Sequence, residues 1–315
     1  MAISNWPYEN DNNRMTITLH VIGCGRAGRS LARLWADAGS FSIGRIVNRS
    51  IASARSAAEF IGQGRAVGSL SSIGKGDWLM LAVPDGALAA IAEKLSEAAA
   101  EGALSRPALA FHISGAEPAE TLRPIGCPVV SVHPVFPFGD PERAVENFSG
   151  SYALGEGDAA GLDSILPMFA AIGAETMRFN PTDKRRYHAA TIAASNFLNV
   201  LDDLALGLAE SAGLAPDKAL KVIVSLQRAG LLGIERAGPM RALTGPIERG
   251  DRGVCERLSR TSGVAGNPLF MALARAAVDL AERKHGLPAG NTSNPLRAMF
   301  DESASTGAGG TDGGV

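Results

Sequence analysis

From Thr16 to Ile22 polar and apolar residues alternate and β-branched side chains predominate, the period of two that marks a strand with one buried face. Gly23-Cys24-Gly25-Arg26-Ala27-Gly28 follows, and Ser30-Leu31-Ala32-Arg33-Leu34-Trp35 then shows helical spacing, so the segment predicts strand, tight turn and helix. The alternation continues with a strand over Ile43 to Val47, a helix over Ala52 to Ile61, a buried strand over Trp78 to Val83 and a helix over Ala87 to Ala100. Apolar Ala108 to Ile113, Val129 to Val132 and Tyr152 to Leu154 supply further strands. Strands alternating with helices are joined by right-handed crossovers, which predicts a mainly parallel sheet covered on both faces.

Beyond Arg178 the strand pattern fades, and Gly and Pro divide helical stretches over Thr182 to Ala212, Pro216 to Ala237, Arg252 to Ser262 and Pro268 to Lys284. The predicted fold class is therefore α/β: a mainly parallel sheet domain over residues 15–180 and an all-α second domain over residues 181–302, meeting near Asn180-Pro181. Residues 1–14, polar and Asn-rich, predict a disordered extension. Residues 303–315, made of small and polar residues, predict a disordered tail.

Composition narrows the function classes. Thirty Lys plus Arg against 32 Asp plus Glu leave a net charge of −2, without the positive field that nucleic-acid binding uses, so no nucleic acid is expected as partner. The polar N-terminus lacks the features of a secretory signal, and no uninterrupted apolar run approaches the ~20 residues of a membrane span, so no membrane is expected either. Cys24, Cys127 and Cys255 stand far apart, which suits a reducing, cytoplasmic setting and predicts no metal site. The Ala- and Leu-rich helices of the second domain could bury a shared face, making a homodimer an expectation.

The glycine string is weak by itself in a chain with 37 glycines; its position after a strand and at the start of a helix gives it meaning. There Gly23 allows the tight turn, Gly25 lets a pyrophosphate approach the backbone, Gly28 lets helix pack on strand, and Cys24, Arg26 and Ala27 complete a dinucleotide-binding loop. About 20 residues on, where an acidic residue would hold the ribose hydroxyls of NAD, the chain has Asn48-Arg49-Ser50. Arg49 can pair with a 2′-phosphate that a carboxylate would repel, and Asn48 and Ser50 can donate hydrogen bonds to it, so NADP is the expected cofactor. Val83 and Pro84 end a strand at the same crevice, and Asp85 is expected to cap the next helix.

Two later strand ends carry histidines, His112-Ile113-Ser114-Gly115 and His133-Pro134. An imidazole there can donate to a substrate oxygen or shuttle a proton, and Ser114 can donate to an anion; equally, the rings can serve only to fix loops. Lys184, His188, Thr191 and Ser195 are spaced four, three and four apart, which places them on one helical stripe. Lys184 with His188, or His188 with Thr191 and Ile192, would match the size of a small substrate; a solvent-facing helix side is the alternative.

Taken together, Gly23 to Gly28, Ala82-Val83-Pro84-Asp85, His112-Ile113-Ser114-Gly115, Ser131-Val132-His133-Pro134, Lys184 with Tyr187-His188-Ala189-Ala190, Ser195-Asn196, and Leu243-Thr244-Gly245-Pro246 through Arg249-Gly250-Asp251 resemble a known group. It joins a Rossmann-like domain to a helical domain of unknown function, within the superfamily of phosphogluconate, β-hydroxyacid and prephenate dehydrogenases and ketopantoate reductase. The resemblance covers about Thr16 to Phe300 and implies a reductase. Ketopantoate reductases are similar in placing a catalytic helix just after the first domain, with a lysine followed by asparagines four and eight residues later. Aligned on Asn196, this chain has His188 at the lysine position and Ile192 at the first asparagine; aligned on Lys184, it has His188 and Ile192 at the asparagine positions. Either register keeps a proton-carrying residue where a carbonyl oxygen needs one.

The expected activity is NADPH-dependent reduction of a small carbonyl or imine compound, a 2-oxo acid in the narrower reading, with ketopantoate the first candidate. His188 or Lys184 would act as acid, Asn196 would orient a neighbour or the substrate, and His112, Ser114, Gly115, His133, Thr191 and Ser195 would line the substrate site. The rivals are a nonenzymatic NADP-binding sensor and a prephenate-type dehydrogenase.

Overall fold

The computed structural model describes residues 17–69, 76–288, 290–291 and 294–302. The expected disorder of residues 1–14 and 303–315 lies outside the described residues. The chain divides between Phe197 and Leu198 into two compact units. The first holds β1 (Thr18–Ile22), α1 (Arg26–Asp37), β2 (Ser42–Val47), α2 (Ile51–Ile61), β3 (Arg65–Val67), β4 (Trp78–Leu81), α3 (Leu88–Ala100), β5 (Leu109–His112), β6 (Val129–Val135), α4 (Pro141–Asn147), β7 (Tyr152–Gly157), α5 (Ala159–Ala171), β8 (Glu175–Arg178) and α6 (Lys184–Ala194).

These strands form one sheet in the order β3-β2-β1-β4-β5-β6-β7-β8. Every neighbouring pair is parallel except β6 with β7, which run antiparallel. All four residues of β4 and of β5 are buried, because helices cover both faces of these central strands. One face packs α1, α2 and α5 around Trp35, Met80, Phe111 and Phe169; the other packs α3 against Leu79, Leu81 and Ala110. Trp35 joins three rings edge-on, with centroids 5.4 Å from Phe41, 6.1 Å from Phe111 and 5.0 Å from Phe169, and its indole N–H donates to the Met168 carbonyl at 2.9 Å.

Two strands escaped the hydrophobic pattern. β3 has only three residues, and all four side chains of β8 are exposed at the sheet edge. The strand expected to end at Val132 continues to Val135, since antiparallel pairing with β7 carries it through His133↔Leu154 to Val135↔Tyr152. His133 therefore projects from within a strand and not from the loop beyond it.

The helix expected over Thr182 to Ala212 is divided at Ser195 into α6 and α7 (Asn196–Ser211). The compact units divide 17 residues beyond the expected Asn180-Pro181 boundary, so α6 belongs with the sheet. By length and composition alone, 184–211 is apolar enough to cross a membrane, a longer stretch than the uninterrupted apolar runs suggested. It begins on Lys184, whose side chain is only 9% exposed and ion-paired to Glu156 of β7.

The second unit contains α8 (Pro216–Ala242), α9 (Arg252–Ser259), α10 (Pro268–Lys284) and α11 (Pro295–Glu302) besides α7. Gly238, at φ 75°, and Pro239 interrupt α8 one residue beyond the predicted helix end. The core of this unit gathers Cys255, Met271, Val278, Leu296 and Phe300. Leu226, Leu231 and Leu232 are exposed on α8, and the expectation of a homodimer rests on such residues. Trp35→Ala should empty the aromatic centre of the first unit and cost about 3–5 kcal/mol, read from guanidinium unfolding midpoints; a cost below about 1 kcal/mol would assign the aromatic cluster a minor role.

Candidate functional site

The turn after β1 is shaped by close approach. Gly23 has φ +82°, and a Cβ there would stand 2.4 Å from Val83 Cγ1 and 2.7 Å from the Ala82 carbonyl oxygen, so only glycine fits. A Cβ on Gly28 would stand 2.8 Å from the Gly23 oxygen and 2.9 Å from Ala82 Cβ, which is the tight packing of α1 on the strands. Gly25 differs: no heavy atom lies within 4 Å of its Cβ position, and this opening lies at the start of α1. No side chain caps that helix and no acid occupies its first turn, leaving its amide dipoles free to meet an anion. Arg26 turns its guanidinium to the Gly139 carbonyl at 3.3 Å, while Ala27 is half-buried in the first helical turn.

A cleft of about 1070 Å³ opens at this turn, lined by Gly23, Cys24, Gly25, Val83 and Pro84 and extending past Asn48, Arg49 and Ser50. The last three do not act alike. Asn48 Oδ1 accepts the Cys24 amide at 2.6 Å, so its carbonyl holds the glycine turn in place. Ser50 caps α2, its hydroxyl accepting the Ser53 amide at 3.2 Å. Arg49 is exposed and makes no ion pair among the described residues. Sequence reasoning missed Arg29, which lines the same cleft one helical turn beyond Gly25; its Nε is buried with no hydrogen-bond partner among the described residues. The described lining includes Arg29, Arg49 and Lys94 and no carboxylate. Burial pushes the Cys24 thiol up to about 12, so this residue contributes its backbone and not a reactive sulfur.

The second group of polar side chains assembles on β6, β7 and α6. Antiparallel register places Ser131 of β6 opposite Glu156 of β7, with His133 two residues farther along the same face of β6. Above them, Lys184, Tyr187 and His188 are spaced i, i+3 and i+4 on one side of α6, the side that meets the sheet. Lys184 donates to Ser131 Oγ and to Glu156 Oε1, the latter at 3.1 Å; the same carboxylate oxygen accepts the Ala119 amide at 2.7 Å. Burial pulls the Lys184 ammonium below the usual lysine range, opposed by the Glu156 charge. Farther along, Tyr187 Oη lies 2.7 Å from His133 Nδ1, and the His133 and His188 ring centroids are 6.1 Å apart.

Gly115 is the floor between the two imidazoles. A Cβ on it would stand 2.6 Å from His188 Nδ1 and 2.9 Å from His133 Nε2, so both nitrogens converge on the side of this residue. Thr191 donates to the His188 carbonyl at 2.8 Å, and its hydroxyl is 3.4 Å from His188 Nδ1. Burial, then the charges of His188 and Lys184, push His133 down to about 4, keeping its ring neutral near pH 7.

Several expected site residues are committed elsewhere. His112 is fully buried, with Nδ1 accepting the Ser114 amide at 3.2 Å, so Nε2 carries the proton and donates to the Pro118 carbonyl at 3.1 Å. Burial, aided by the Lys184 charge, pushes it down to about 3: His112 fixes the loop that presents Gly115. Ser114 Oγ accepts the amides of Ala116 and Glu117 at 3.1 and 2.9 Å, a turn-forming role that uses its lone pairs. Ser195 and Asn196 are exposed, and among the described residues no side-chain hydrogen bond ties either to the imidazole cluster. Asp85 opens a short 3-10 turn without serving as a side-chain cap; its charge acts on both His133 and Lys184. The sequence carried a signal for Tyr187, in the Lys-x-x-Tyr-His spacing, but none for Glu156, whose place opposite Ser131 requires the strand register.

Residues 5–134 match the Rossmann-like domain family, and residues 151–277 match a domain of unknown function, DUF2520. The two matches follow one another in that order along the chain. Among solved structures, a protein from Bacteroides fragilis named as an NADP oxidoreductase is 20% identical, with a TM-score of 0.68 over 84% of this chain and 98% of that one. A protein from Thermotoga maritima is 26% identical, with a TM-score of 0.62 over 85% and 99% of the two chains. A pyrroline-5-carboxylate reductase from Streptococcus pyogenes is 12% identical, with a TM-score of 0.53 over 92% and 99%. No curated protein matches the chain in sequence.

The buried histidines make stability depend on pH. His112 and His133 have folded values of about 3 and 4 against an ordinary 6.5, so below pH 6.5 the unfolded chain binds protons that the folded chain does not. Stability should therefore fall between pH 6.5 and 5, by at most ~1.4 kcal/mol per pH unit for each histidine. His112→Gln should flatten that slope in urea unfolding; an unchanged slope would show that His112 protonates as readily in the folded protein as in the unfolded chain.

Proposed function

We propose that this chain is an NADP-dependent oxidoreductase that transfers hydride to a small carbonyl or imine substrate. The carrying observation is the cleft at the glycine turn, which combines an open helix N-terminus with Arg29 and Arg49 and has no carboxylate in its described lining. Its residues fit the dinucleotide: the backbone at Gly25 is accessible to a pyrophosphate, and the two guanidiniums suit a 2′-phosphate that an acidic residue at position 49 would repel. The likeness to the Bacteroides fragilis and Streptococcus pyogenes proteins, named as an NADP oxidoreductase and a pyrroline-5-carboxylate reductase, supports the same reading.

When bound, the cofactor supplies the hydride. The chain's own part is to orient the substrate and to deliver a proton to the developing alkoxide or amine. We assign that proton to His188, because Lys184 is held by Glu156 and Ser131, whereas His188 Nδ1 turns toward Gly115 with only the long 3.4 Å contact to Thr191 among the described residues. Asn196 is exposed and makes no side-chain hydrogen bond to His188 among the described residues. The 2-oxo acid reading loses support: the Lys184 charge is matched by Glu156, and both His112 nitrogens are taken up by backbone groups. A nonenzymatic sensor would need the cleft but not two imidazoles converging on one glycine, and that convergence favours catalysis.

Arg49→Glu should weaken NADPH binding by about 10- to 100-fold, the loss of a charge-assisted contact, and leave NADH binding within about threefold; fluorescence titration reads both, and equal affinity for the two cofactors in the parent protein would refute the NADP assignment. Against a panel of 2-oxo acids including ketopantoate, cyclic imines, neutral ketones and prephenate, NADPH oxidation or NADP reduction should identify a carbonyl or imine substrate. With that substrate, His188→Ala should lower kcat by about 10²- to 10⁴-fold while NADPH affinity stays unchanged; full turnover would remove His188 from the chemistry.

A further inference from the structure

Tyr187 stands between structure and chemistry. Its hydroxyl lies 2.7 Å from His133 Nδ1, and its ring leans on Phe179 with centroids 5.0 Å apart and on His133 at 5.6 Å. The position follows from the anchor one helical turn earlier: Lys184 is fixed over Ser131 and Glu156, so the residue three places along α6 reaches the residue two places along β6. The phenol is the more acidic partner and an imidazole nitrogen the more basic acceptor, so the bond runs from Tyr187 O–H to Nδ1. Burial raises the tyrosine above its usual range, which keeps that proton on the oxygen. A neutral imidazole that accepts at Nδ1 must carry its own proton on Nε2, the nitrogen that faces Gly115.

We propose that Tyr187 is a positioning residue: by donating to His133 Nδ1 it fixes the neutral tautomer whose Nε2–H donates a hydrogen bond to the substrate's carbonyl oxygen or imine nitrogen, beside His188. This inference rests on the reductase reading. It divides the work between the two histidines: His133 polarises the reacting bond as a neutral donor, in the manner by which an imidazole can act as an electrophile without being protonated, and His188 transfers the proton. Gly115 leaves room for both nitrogens, since any β-carbon there would collide with the two rings.

The test is ¹⁵N NMR of the full-length, NADP-saturated protein with labelled histidine, the His133 signals being assigned by comparison with His133→Gln. At pH 7.5 His133 should show a protonated Nε2 and an unprotonated Nδ1. In Tyr187→Phe the two neutral tautomers should mix, and kcat should fall about tenfold, the scale of one lost hydrogen bond, with KM and NADPH affinity within about twofold. A parent protein with the proton on Nδ1, or on both nitrogens, overturns the proposal, as does a variant whose tautomer and kcat are unchanged. A shifted tautomer with unchanged kcat overturns the donor role of His133. If Tyr187→Phe fails to fold, the parent spectrum alone still decides the tautomer. If the tautomer is as stated but no carbonyl or imine is reduced, the reductase reading fails and, with it, the assigned donor role; an active reductase with the wrong tautomer overturns this inference alone.

Discussion

The contact of Lys184 with Glu156 and Ser131 governs where the candidate catalytic groups stand. Two side chains that are 9% and 15% exposed carry opposite charges here, and each is further tied by hydrogen bonds, Lys184 to a serine and Glu156 to the Ala119 amide. Removing one partner of such a pair is strongly destabilising, because the remaining charge is left without compensation. The geometry also carries over directly: once the first turn of α6 is pinned to β6 and β7, Tyr187 and His188 have one place to go, over His133 and Gly115.

The sheet makes that anchor possible through its single reversal. If β7 ran parallel to β6, Glu156 would face a different neighbour; the antiparallel register puts it across from Ser131. The parallel strands on the other side serve the cofactor cleft, where the ends of β1, β2 and β4 meet at Gly23, Asn48 and Val83. Asn48 belongs as much to this framework as to any ligand, since it holds the Cys24 amide and thereby the shape of the glycine turn.

Histidines in this chain serve opposite purposes with the same ring. His20 accepts the Arg45 amide at 2.9 Å and meets Asp77 at 3.0 Å, and His112 bridges the Ser114 amide and the Pro118 carbonyl; both are internal struts. His133 and His188 keep a nitrogen turned toward Gly115 that, among the described residues, no group occupies at hydrogen-bonding geometry apart from the long contact of Thr191 with His188. A candidate catalytic imidazole is distinguished here from a strut by its second nitrogen, a property of surroundings and not of residue type.

The alternation of strands and helices through β5, with β3 excepted, the mainly parallel sheet, the glycine turn and the helical spacing of Lys184, His188 and Thr191 were legible in the sequence, because each follows from periodicity or from local backbone geometry, whereas β3, α4, α5 and β8 were not. The same is true of Arg49 in place of an acid, which depends only on counting from the turn. Glu156, Arg29 and the separate fates of His112 and His133 were not legible. Nothing near Glu156 in the chain marks it as the counter-ion of a lysine 28 positions later, and both histidines occupy the ends of similar apolar runs. The alternating pattern determined which residues could be buried. Only the register of β7 on β6 and the seating of α6 on both decided which buried polar groups satisfy one another and which turn toward Gly115, since hydrogen bonds and ion pairs form between atoms that only the folded chain brings within reach.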